Sequence, residues 1–338
     1  MGRYVTIIDI ARELGLSKST VSRALSGDVG NVKGETLQRI VATARRMGYQ
    51  RNDMAVNLRR QSSRTVGIVI PEIVTSFFMT FVCHAQEALR RAGYQVMVAI
   101  ANEQPEQERE CLAMMQRCRV DGILMSVCHK EANLPAYRDV LSQGIPIVFF
   151  DRTVEGLDAS QVRMDDYIMS FFMVERLIRS GCRRIVHLAG PDHIRNGHDR
   201  LRGYRDALQK FHLAYDERLV ERGALSAEEG SRAMERILAA GEEFDAVFAF
   251  TETSLLGAKT ALQKHGRRIP ADVALCCMSG TTLCTLVHPT ITAVEQPVAQ
   301  MAAEACRLLL AKLSAEGAKS EEVVLRGDIV VRESTAEG

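Results

Sequence analysis

Residues 6–27 read TIIDIARELGLSKSTVSRALSG, and this stretch decides the fold of the N-terminal part of the chain. Thr6 and Asp9 form a capping pair that predicts the start of a helix. The apolar residues of that helix fall on one face: Ile7, Ile10, Ala11 and Leu14. Gly15 then ends the helix, and Ser17 predicts the cap of a second short helix. Two short helices joined by a tight turn that contains glycine are typical of a helix-turn-helix.

A third amphipathic helix follows, ends near Gly48, and shares one small core with the first two. Its apolar face carries Leu37, Ile40, Val41 and Ala44. This arrangement leaves the second helix protruding, with a polar face made by Lys18, Ser19, Thr20, Ser22 and Arg23. Side chains of these types bind phosphates and the edges of bases, so the face is a candidate nucleic-acid reader. The alternative is a solvated polar face on a small helical bundle.

The charge of the chain is divided unevenly. The 338 residues carry a formal net charge of +1, but residues 1–64 hold twelve Lys and Arg against five Asp and Glu, a charge of +7. The remaining residues hold 31 against 37, a charge of −6. A basic head on a mildly acidic body predicts a polyanion-binding module that is attached to a body with another task.

The chain is long enough for two or three domains, and we expect three segments. Residues 1–50 are expected to form the helix-turn-helix domain, 51–64 a hinge helix and linker, and 65–338 a larger body. The segment RNDMAVNLRR at 51–60 has helical composition. It is too short to hold a helix alone in water, so we expect it to order only when another surface stabilises it.

From residue 65 the pattern changes to short apolar runs that alternate with amphipathic helices. Strand candidates are 65–70, 95–100, 120–126, 145–150, 184–189, about 219–223, 244–250 and 272–277, and 323–331 is strand-like. Continuous apolar strands between helices predict parallel sheets covered on both faces. The segments 120–124 and 244–248 echo each other. We therefore expect two similar α/β lobes, with a ligand cleft at the carboxyl ends of their strands.

Other chemistry finds little support in the sequence. No nucleotide-binding loop, metalloprotease motif or nucleophile elbow is present, so we expect neither an enzyme nor a cofactor. His187, His193 and His198 lie close to two aspartates, and a loop at the rim of the cleft is favoured over a metal site. Four closely spaced glutamates predict the solvent-exposed start of a helix: Glu103, Glu106, Glu108 and Glu110.

The cellular compartment follows from the cysteines and from the lack of targeting patterns. Nine cysteines without a C-x-x-C pair predict reduced, mostly buried thiols. No apolar run approaches the roughly 20 residues of a membrane span, and the N-terminus lacks the layout of a signal peptide. We expect a cytoplasmic protein that does not associate with membranes.

Residues 6–27 together with 51–60 resemble the lactose/galactose repressor (LacI/GalR) family. The resemblance implies that Lys18 and Ser19 select the DNA sequence, and that Leu58 enters the minor groove beside Ala55, as apolar wedges do in DNA-kinking proteins. Further DNA-contacting positions that it implies are Thr6, Ser17, Thr20, Ser22, Arg23, Asn31 and Thr36.

The body resembles periplasmic binding proteins of the type I fold. The similar pieces are VDGIL at 120–124, FFDRTVEG at 149–156, HLAGP at 187–191, RLRGY at 200–204 and IPADV at 269–273. The fold implied is an all-α helix-turn-helix head followed by an α/β periplasmic-binding-protein-like domain of two parallel-sheet lobes. The effector positions implied are Phe77, Phe78, Asp151, Arg200, Leu225, Thr251, Glu252 and Ser279, and Asp166 sits at a common polar position.

Four of these positions, in three segments, depart from the family pattern. Thr251-Glu252 replaces the usual Asn-Asp, Ser279-Gly280 replaces two acids, and Leu225 replaces an aromatic ring. The expected effector is a sugar or a sugar derivative, with a nucleobase-type ligand as the alternative. The departures leave open whether the cleft binds a small molecule.

The resemblance implies a transcriptional regulator that binds double-stranded DNA at a pseudo-palindromic operator as a homodimer. Repression is the expected direction, although release by an inducer and tightening by a co-repressor both stay open. A transport solute-binding protein is disfavoured by the reader domain and the lack of a signal peptide. An enzyme fused to a helix-turn-helix is disfavoured by the lack of a nucleophile–base arrangement.

Overall fold

The computed structural model describes residues 5–25, 34–49, 62–314 and 318–335. It divides the chain into two compact units, Met1–Gln61 and Ser62–Gly338. Asn31, Ala55 and Leu58 lie outside the described residues.

Unit 1 contains the three predicted helices, α1 (Ile7–Leu14), α2 (Lys18–Leu25) and α3 (Gly34–Arg46). Thr6 caps α1 as predicted: its hydroxyl accepts from the Asp9 N–H, and the Asp9 carboxylate accepts from the Thr6 N–H at 2.9 Å. Gly15 follows α1 with a φ of 65°, a left-handed conformation that favours glycine. The buried core of the unit is formed by Ile10, Ala11, Val21, Ala24, Ile40 and Ala44. The helix-turn-helix prediction is therefore confirmed.

Unit 2 contains twelve strands and nine α-helices among its described residues. The strands are β1 (Thr65–Ile70), β2 (Gln95–Ile100), β3 (Gly122–Met125), β4 (Ile147–Phe150), β5 (Ser160–Met164), β6 (Ile185–Ala189), β7 (Val220–Arg222), β8 (Ala246–Ala249), β9 (Ala274–Cys277), β10 (Thr292–Glu295), β11 (Glu322–Leu325) and β12 (Asp328–Val330). The helices are α4 (Ser76–Arg91), α5 (Pro105–Arg117), α6 (Leu134–Ser142), α7 (Asp166–Arg179), α8 (Arg195–Lys210), α9 (Ala227–Ala239), α10 (Glu252–Lys264), α11 (Leu283–Leu286) and α12 (Val298–Ser314).

The strands form two six-stranded sheets with the same internal order. Lobe 1 has the order β11-β5-β4-β3-β1-β2, and lobe 2 has the order β12-β10-β9-β8-β6-β7. Neighbouring strands are parallel except for the antiparallel pair of β10 with β12. Each sheet is covered on both faces by a buried apolar cluster, as the continuous apolar strands predicted.

The sequence echo of 120–124 and 244–248 has a structural counterpart. Asp121 accepts hydrogen bonds from the backbone N–H of Ser63 and Arg64, at 2.6 and 3.0 Å, where the chain enters β1. Asp245 accepts from the backbone N–H of Arg183 and Arg184, at 2.7 and 3.1 Å, where the chain enters β6. Asp121, just before β3, therefore holds the start of the neighbouring strand β1, and Asp245, just before β8, holds the start of the neighbouring strand β6.

Three crossings connect the lobes: after β5 into α7, after β10 into α12, and between β11 and β12. Gly327 lies in the last crossing and is packed tightly against the other two. A β-carbon at this position would lie 2.6 Å from the carbonyl oxygen of Glu295 and 3.1 Å from the sulfur of Met164. The lack of a side chain at Gly327 thus lets the three crossings approach one another.

The predicted strand positions agree with the structure, with three differences. The segment 323–331 is not one strand, because Arg326-Gly327 divides it between the edges of two different sheets. The strands β5 and β10 had no sequence prediction. Gln161 and Arg163 interrupt β5 with half-buried polar side chains, and β10 has only four residues, so neither gives a continuous apolar run.

The nine cysteines are free thiols and six of them are buried, which confirms the prediction of mostly buried thiols. Within the described parts of the chain, no helix is both long and apolar enough to cross a membrane.

Candidate functional site

The exposed face of α2 carries the residues that the sequence assigned to DNA. Ser17, Lys18, Ser19 and Arg23 are exposed, whereas Val21 and Ala24 on the opposite face are buried in the core of unit 1. The pattern arises because the apolar positions recur at helical spacing and leave the polar positions facing solvent.

Hydroxyl groups order the N-terminal turn of α2. The Ser17 hydroxyl accepts from the Thr20 N–H at 3.1 Å and lies 2.8 Å from the hydroxyls of Ser19 and Thr20. The helix begins with Lys18 and has no acidic residue in its first turn. An ordered helix N-terminus with a free ammonium group beside it favours a phosphate anion. The surface thus has the chemistry of a nucleic-acid contact.

Thr36 lies in the first turn of α3 and is partly exposed. Its role in DNA contact stays a prediction, as do those of Asn31, Ala55 and Leu58 outside the described residues.

In unit 2, a cavity of about 290 Å³ lies between the lobes, at the carboxyl ends of their strands. Seven of the eight predicted effector positions line it: Phe77, Phe78, Asp151, Arg200, Leu225, Thr251 and Ser279. The sequence did not identify the further lining residues Glu72, Val74, Thr75, Glu103, Arg152, Asn196, Ser226, Glu229, Phe250 and Gln296. Arg152 directly follows Asp151 in the FFDRTVEG segment, and this proximity was the one sequence signal that could have placed a further residue in the cavity.

Asp151 joins the two lobes across the cavity. It follows β4 of lobe 1, with a φ of 56°, and its carboxylate accepts from Asn196 of lobe 2 at 3.4 Å and from Gln296 in the second crossing at 3.3 Å. Burial raises the pKa of the Asp151 carboxyl, while Arg200 and Arg152 lower it. Both hydrogen bonds are long, so the carboxylate keeps most of its capacity to accept from a ligand.

Arg200 is held in place by two acceptors within lobe 2. Its Nε donates to Asp166 at 2.7 Å, and its Nη1 donates to the carbonyl oxygen of Phe250 at 2.6 Å. The guanidinium group also lies over the Phe250 ring, 4.2 Å from its centroid. Burial raises the pKa of Asp166 to about 6, although Arg200 lowers it. Asp166 therefore positions the arginine that faces the cavity.

Arg152 is paired within lobe 1. Its Nη1 donates to Glu103 at 2.8 Å, and its guanidinium group lies 5.5 Å from the centroid of Phe78. The expectation of a solvated helix start at residues 103–110 was thus wrong for two of its four glutamates.

Glu108 is the second of these glutamates, and it is fully buried. Its carboxylate accepts from the Cys128 N–H at 2.6 Å, from Asn133 at 2.7 Å and from the Tyr137 hydroxyl. Three donors from the segment after β3 compensate the desolvation of the Glu108 carboxylate. The sequence around Glu108 did not indicate that this residue is buried.

Glu252 is the predicted effector residue that does not line the cavity. It is buried at the start of α10, and its carboxylate accepts from the N–H and the hydroxyl of Thr281, at 2.9 and 2.6 Å, and from the Cys284 thiol. Glu252 therefore anchors the segment after β9, which contains Ser279. The Thr251 hydroxyl donates to the carbonyl oxygen of Leu225 at 3.1 Å, so it too has a partner within lobe 2.

A second contact joins the lobes outside the cavity. His129 of lobe 1 stacks on His193 of lobe 2, with ring centroids 5.1 Å apart, and the Lys130 N–H donates to the His193 carbonyl oxygen at 2.9 Å. His187, by contrast, lies in β6, fully buried between the rings of Tyr204 and Phe248. No cluster of three metal-binding side chains occurs among the residues that the structure describes.

Comparisons with known proteins agree with this arrangement. Residues 6–52 match the family model of bacterial regulatory proteins, lacI family, and residues 174–335 match the periplasmic binding protein-like domain. The transcriptional regulator CelR of Thermobifida fusca is 32% identical, covering 98% of both chains. The transcriptional repressor CytR of Escherichia coli (strain K12) is 28% identical, covering 98% of this chain and 96% of its own.

Two solved structures extend the comparison. The CelR–cellobiose complex has a TM-score of 0.75 at 30% identity and covers 98% of this chain and 99% of its own. The lac repressor dimer bound to operator and the anti-inducer ONPF has a TM-score of 0.87 at 20% identity, covering 99% and 100%. The second similarity supports the fold alone.

A helix-turn-helix head with an exposed polar reading face, and a two-lobed body with a cavity, define a DNA-binding transcription regulator that carries its own ligand-binding domain. The chain belongs to the LacI family of bacterial regulatory proteins. It is a regulator of transcription and not an enzyme.

Proposed function

We propose that this protein is a cytoplasmic repressor, and that a sugar or sugar derivative bound between its lobes controls its affinity for a pseudo-palindromic operator. The observation that carries the proposal is the cavity that both lobes line, with Asp151 of lobe 1 accepting hydrogen bonds across it. A ligand that changes the separation of the lobes changes operator affinity, and the operator must then change ligand affinity by the same factor. The cellobiose bound to the relative CelR supports a saccharide.

The reading surface is expected to be the face of α2, with Lys18 and Ser19 selecting the sequence. Operators are selected from random duplexes with the full chain, and their affinity is measured by fluorescence anisotropy at several salt concentrations. Lys18→Ala should weaken binding and relax the sequence preference, with about 1–3 kcal/mol lost at the contacted base pair. Lys264→Ala removes the same charge from an exposed position in unit 2 and is the matched control. Equal effects of the two variants would contradict the assignment of α2.

Leu58 is proposed to enter the minor groove as part of a hinge helix that DNA stabilises, beside Ala55. Leu58→Ala should weaken operator binding strongly and leave ligand binding unchanged. Unaltered operator affinity in this variant would overturn the hinge proposal.

The start of unit 2 offers a physical connection between lobe 1 and the segment that leads to unit 1. Asp121 accepts from the hydroxyls of Ser62 and Ser63 as well as from the N–H groups of Ser63 and Arg64. The carboxylate thus ties residues 62–64 to lobe 1, so a displacement of that lobe moves the end of the linker with it.

Two copies of the chain are proposed to assemble into a dimer, since a two-fold symmetric protein matches a pseudo-palindromic site. Size-exclusion chromatography with light scattering measures the assembly directly. A tetramer or a monomer at operator-binding concentrations would contradict the dimer.

A thermal-shift screen of the full chain against sugars, nucleosides and purines tests the sensing role. A ligand at 100 times its Kd should stabilise unit 2 by about 2.7 kcal/mol. The hit should then change operator affinity in the anisotropy assay, and its direction separates an inducer from a co-repressor. Stabilisation by nucleosides or purines alone would favour the nucleobase alternative.

A further inference from the structure

The charges that line the cavity between the lobes are unbalanced. Among the described residues, four carboxylates line it, those of Glu72, Glu103, Asp151 and Glu229, against the two guanidinium groups of Arg152 and Arg200. The cavity thus carries an excess of negative charge. Glu72 and Glu229 already accept from the N–H groups of Thr75 and Ser226, at 2.9 Å each, so the spare acceptor capacity lies with Glu103 and Asp151.

Both guanidinium groups already have a carboxylate partner. Arg152 donates to Glu103 at 2.8 Å, and Arg200 donates to Asp166 at 2.7 Å. The Arg200–Asp166 pair is almost fully buried, with side chains 2% and 4% exposed, whereas in the other pair Arg152 is 5% and Glu103 27% exposed. Each arginine–carboxylate pair is close to electrically neutral, so its remaining N–H donors favour an uncharged acceptor over a second anion. Among the described residues that line the cavity, no cation without a carboxylate partner could compensate the desolvation of a phosphate or carboxylate group.

Acceptor atoms without partners remain next to these pairs. The Oε1 atom of Glu103 and the Oδ1 atom of Asn196 are buried and have no hydrogen-bond partner, and Asn196 is only 3% exposed. The Asp151 carboxylate is held by two bonds of 3.3 and 3.4 Å. Buried acceptors that lack donors are costly, so a ligand that supplies hydroxyl or amino donors gains free energy here.

The remaining wall is apolar and aromatic. Phe77, Phe78 and Phe250 line the cavity together with Leu225 and Val74. Phe77 and Phe78 meet edge to face, with centroids 5.1 Å apart. Flat apolar surfaces beside convergent polar groups suit a ring that is apolar on its faces and carries donors at its edge.

We propose that the cavity takes a polyhydroxylated ligand without a phosphate or carboxylate group, and that Glu103 excludes anions by neutralising Arg152. This inference rests on the proposed sensing function and narrows its ligand class. An additional ammonium group on the ligand is tolerated, because the carboxylate excess attracts it.

Calorimetry on the full chain with matched sugars tests the proposal. The probes are D-glucose, D-glucosamine and D-glucose 6-phosphate, D-ribose and D-ribose 5-phosphate, and cellobiose and its 6-phosphate. In each set that binds, the neutral sugar should bind at least about 100-fold more tightly than the phosphorylated one. A phosphorylated sugar that binds more tightly than its parent overturns the inference and leaves sugar sensing intact. No binding by any probe overturns the sensing proposal itself, and this inference with it.

The role of Glu103 is tested by Glu103→Gln, which keeps the shape of the side chain and frees the charge of Arg152. The preference for the neutral sugar should fall by about 10-fold. Glu87→Gln is the matched control, because Glu87 also pairs with arginines but lies on the exposed surface of α4. If Glu103→Gln does not fold, Arg152→Gln examines the same pair and should increase the preference instead. An unchanged preference in the variant measured overturns the role of Glu103.

Discussion

Replacing Arg200 with alanine tests whether the pair with Asp166 holds the cavity wall together. Both side chains are almost fully buried, 2% and 4% exposed, and the Nε–Oδ1 distance is 2.7 Å. Removing the arginine leaves a buried carboxylate without its cation and leaves the Phe250 carbonyl oxygen without its donor. Breaking a buried pair by removing one partner costs about 3–5 kcal/mol. For a unit of this size, that loss lowers the Tm by roughly 10 °C.

The pH dependence separates a lost charge partner from a packing defect. The pKa of Asp166 is already raised to about 6, and the loss of Arg200 should raise it further. A carboxyl with a raised pKa in the folded state binds a proton more readily than in the unfolded state. The contribution of this group to stability therefore falls as the pH rises. The deficit of Arg200→Ala relative to the parent chain should then shrink as the pH is lowered toward 6 and stay constant below it.

Denaturant unfolding of the full chain at several pH values measures both the loss of stability and its pH dependence. The unfolding of unit 2 is followed in the absence of operator DNA. Arg195→Ala is the control, since Arg195 is 25% exposed and lies 3.6 Å or more from its acidic neighbours. We expect a loss below about 1 kcal/mol there. A deficit in Arg200→Ala that equals the control, or that is the same at all pH values, would refute the reasoning.

Three further changes probe other parts of the chain. Burial lowers the pKa of His187 to about 4, so this side chain alone should contribute a loss of about 3 kcal/mol as the pH falls from 6.5 to 4, and His187→Leu should differ from the parent chain by that amount in denaturant titrations. Gly327→Ala should cost about 1–3 kcal/mol in the same assay because the added methyl group meets the Glu295 carbonyl, and a neutral result would show that the crossings can separate freely. Asp121→Asn should weaken operator binding about 10-fold. Asp245→Asn changes the equivalent carboxylate of lobe 2 and should leave operator affinity unchanged. If the two variants had the same operator affinity, the proposed connection through residues 62–64 would be wrong.

Most of the fold could be predicted because it depends on local patterns. The spacing of Thr6, Asp9 and Gly15 determines the ends of α1, and continuous apolar runs indicate strands covered on both faces. The strand β5 was missed because Arg163 and Gln161 give it an alternating pattern. The division of 322–330 between two sheets could not be predicted, because it depends on which distant edges lie near that segment.

The cavity could be predicted only in part, for a related reason. Asp151 and Arg200 stand in segments that resemble the family, and both line the cavity. The pairing of Glu103 depends on Arg152, which is 49 positions later in the chain. Glu252 stands at an expected position, but its carboxylate is taken by Thr281. Burial of a charge is decided by its tertiary partners, and local sequence does not show these.

The placement of β11 and β12 has a consequence for synthesis of the chain. These two strands close the edges of lobe 1 and lobe 2, yet they are separated by only two residues close to the end of the described chain. Neither lobe can be complete until residues 322–330 have left the ribosome, whereas the helices of unit 1 emerge first and have their own core. A shortened nascent chain would thus contain the complete DNA-reading helix while both sheets of the body still lack an edge strand.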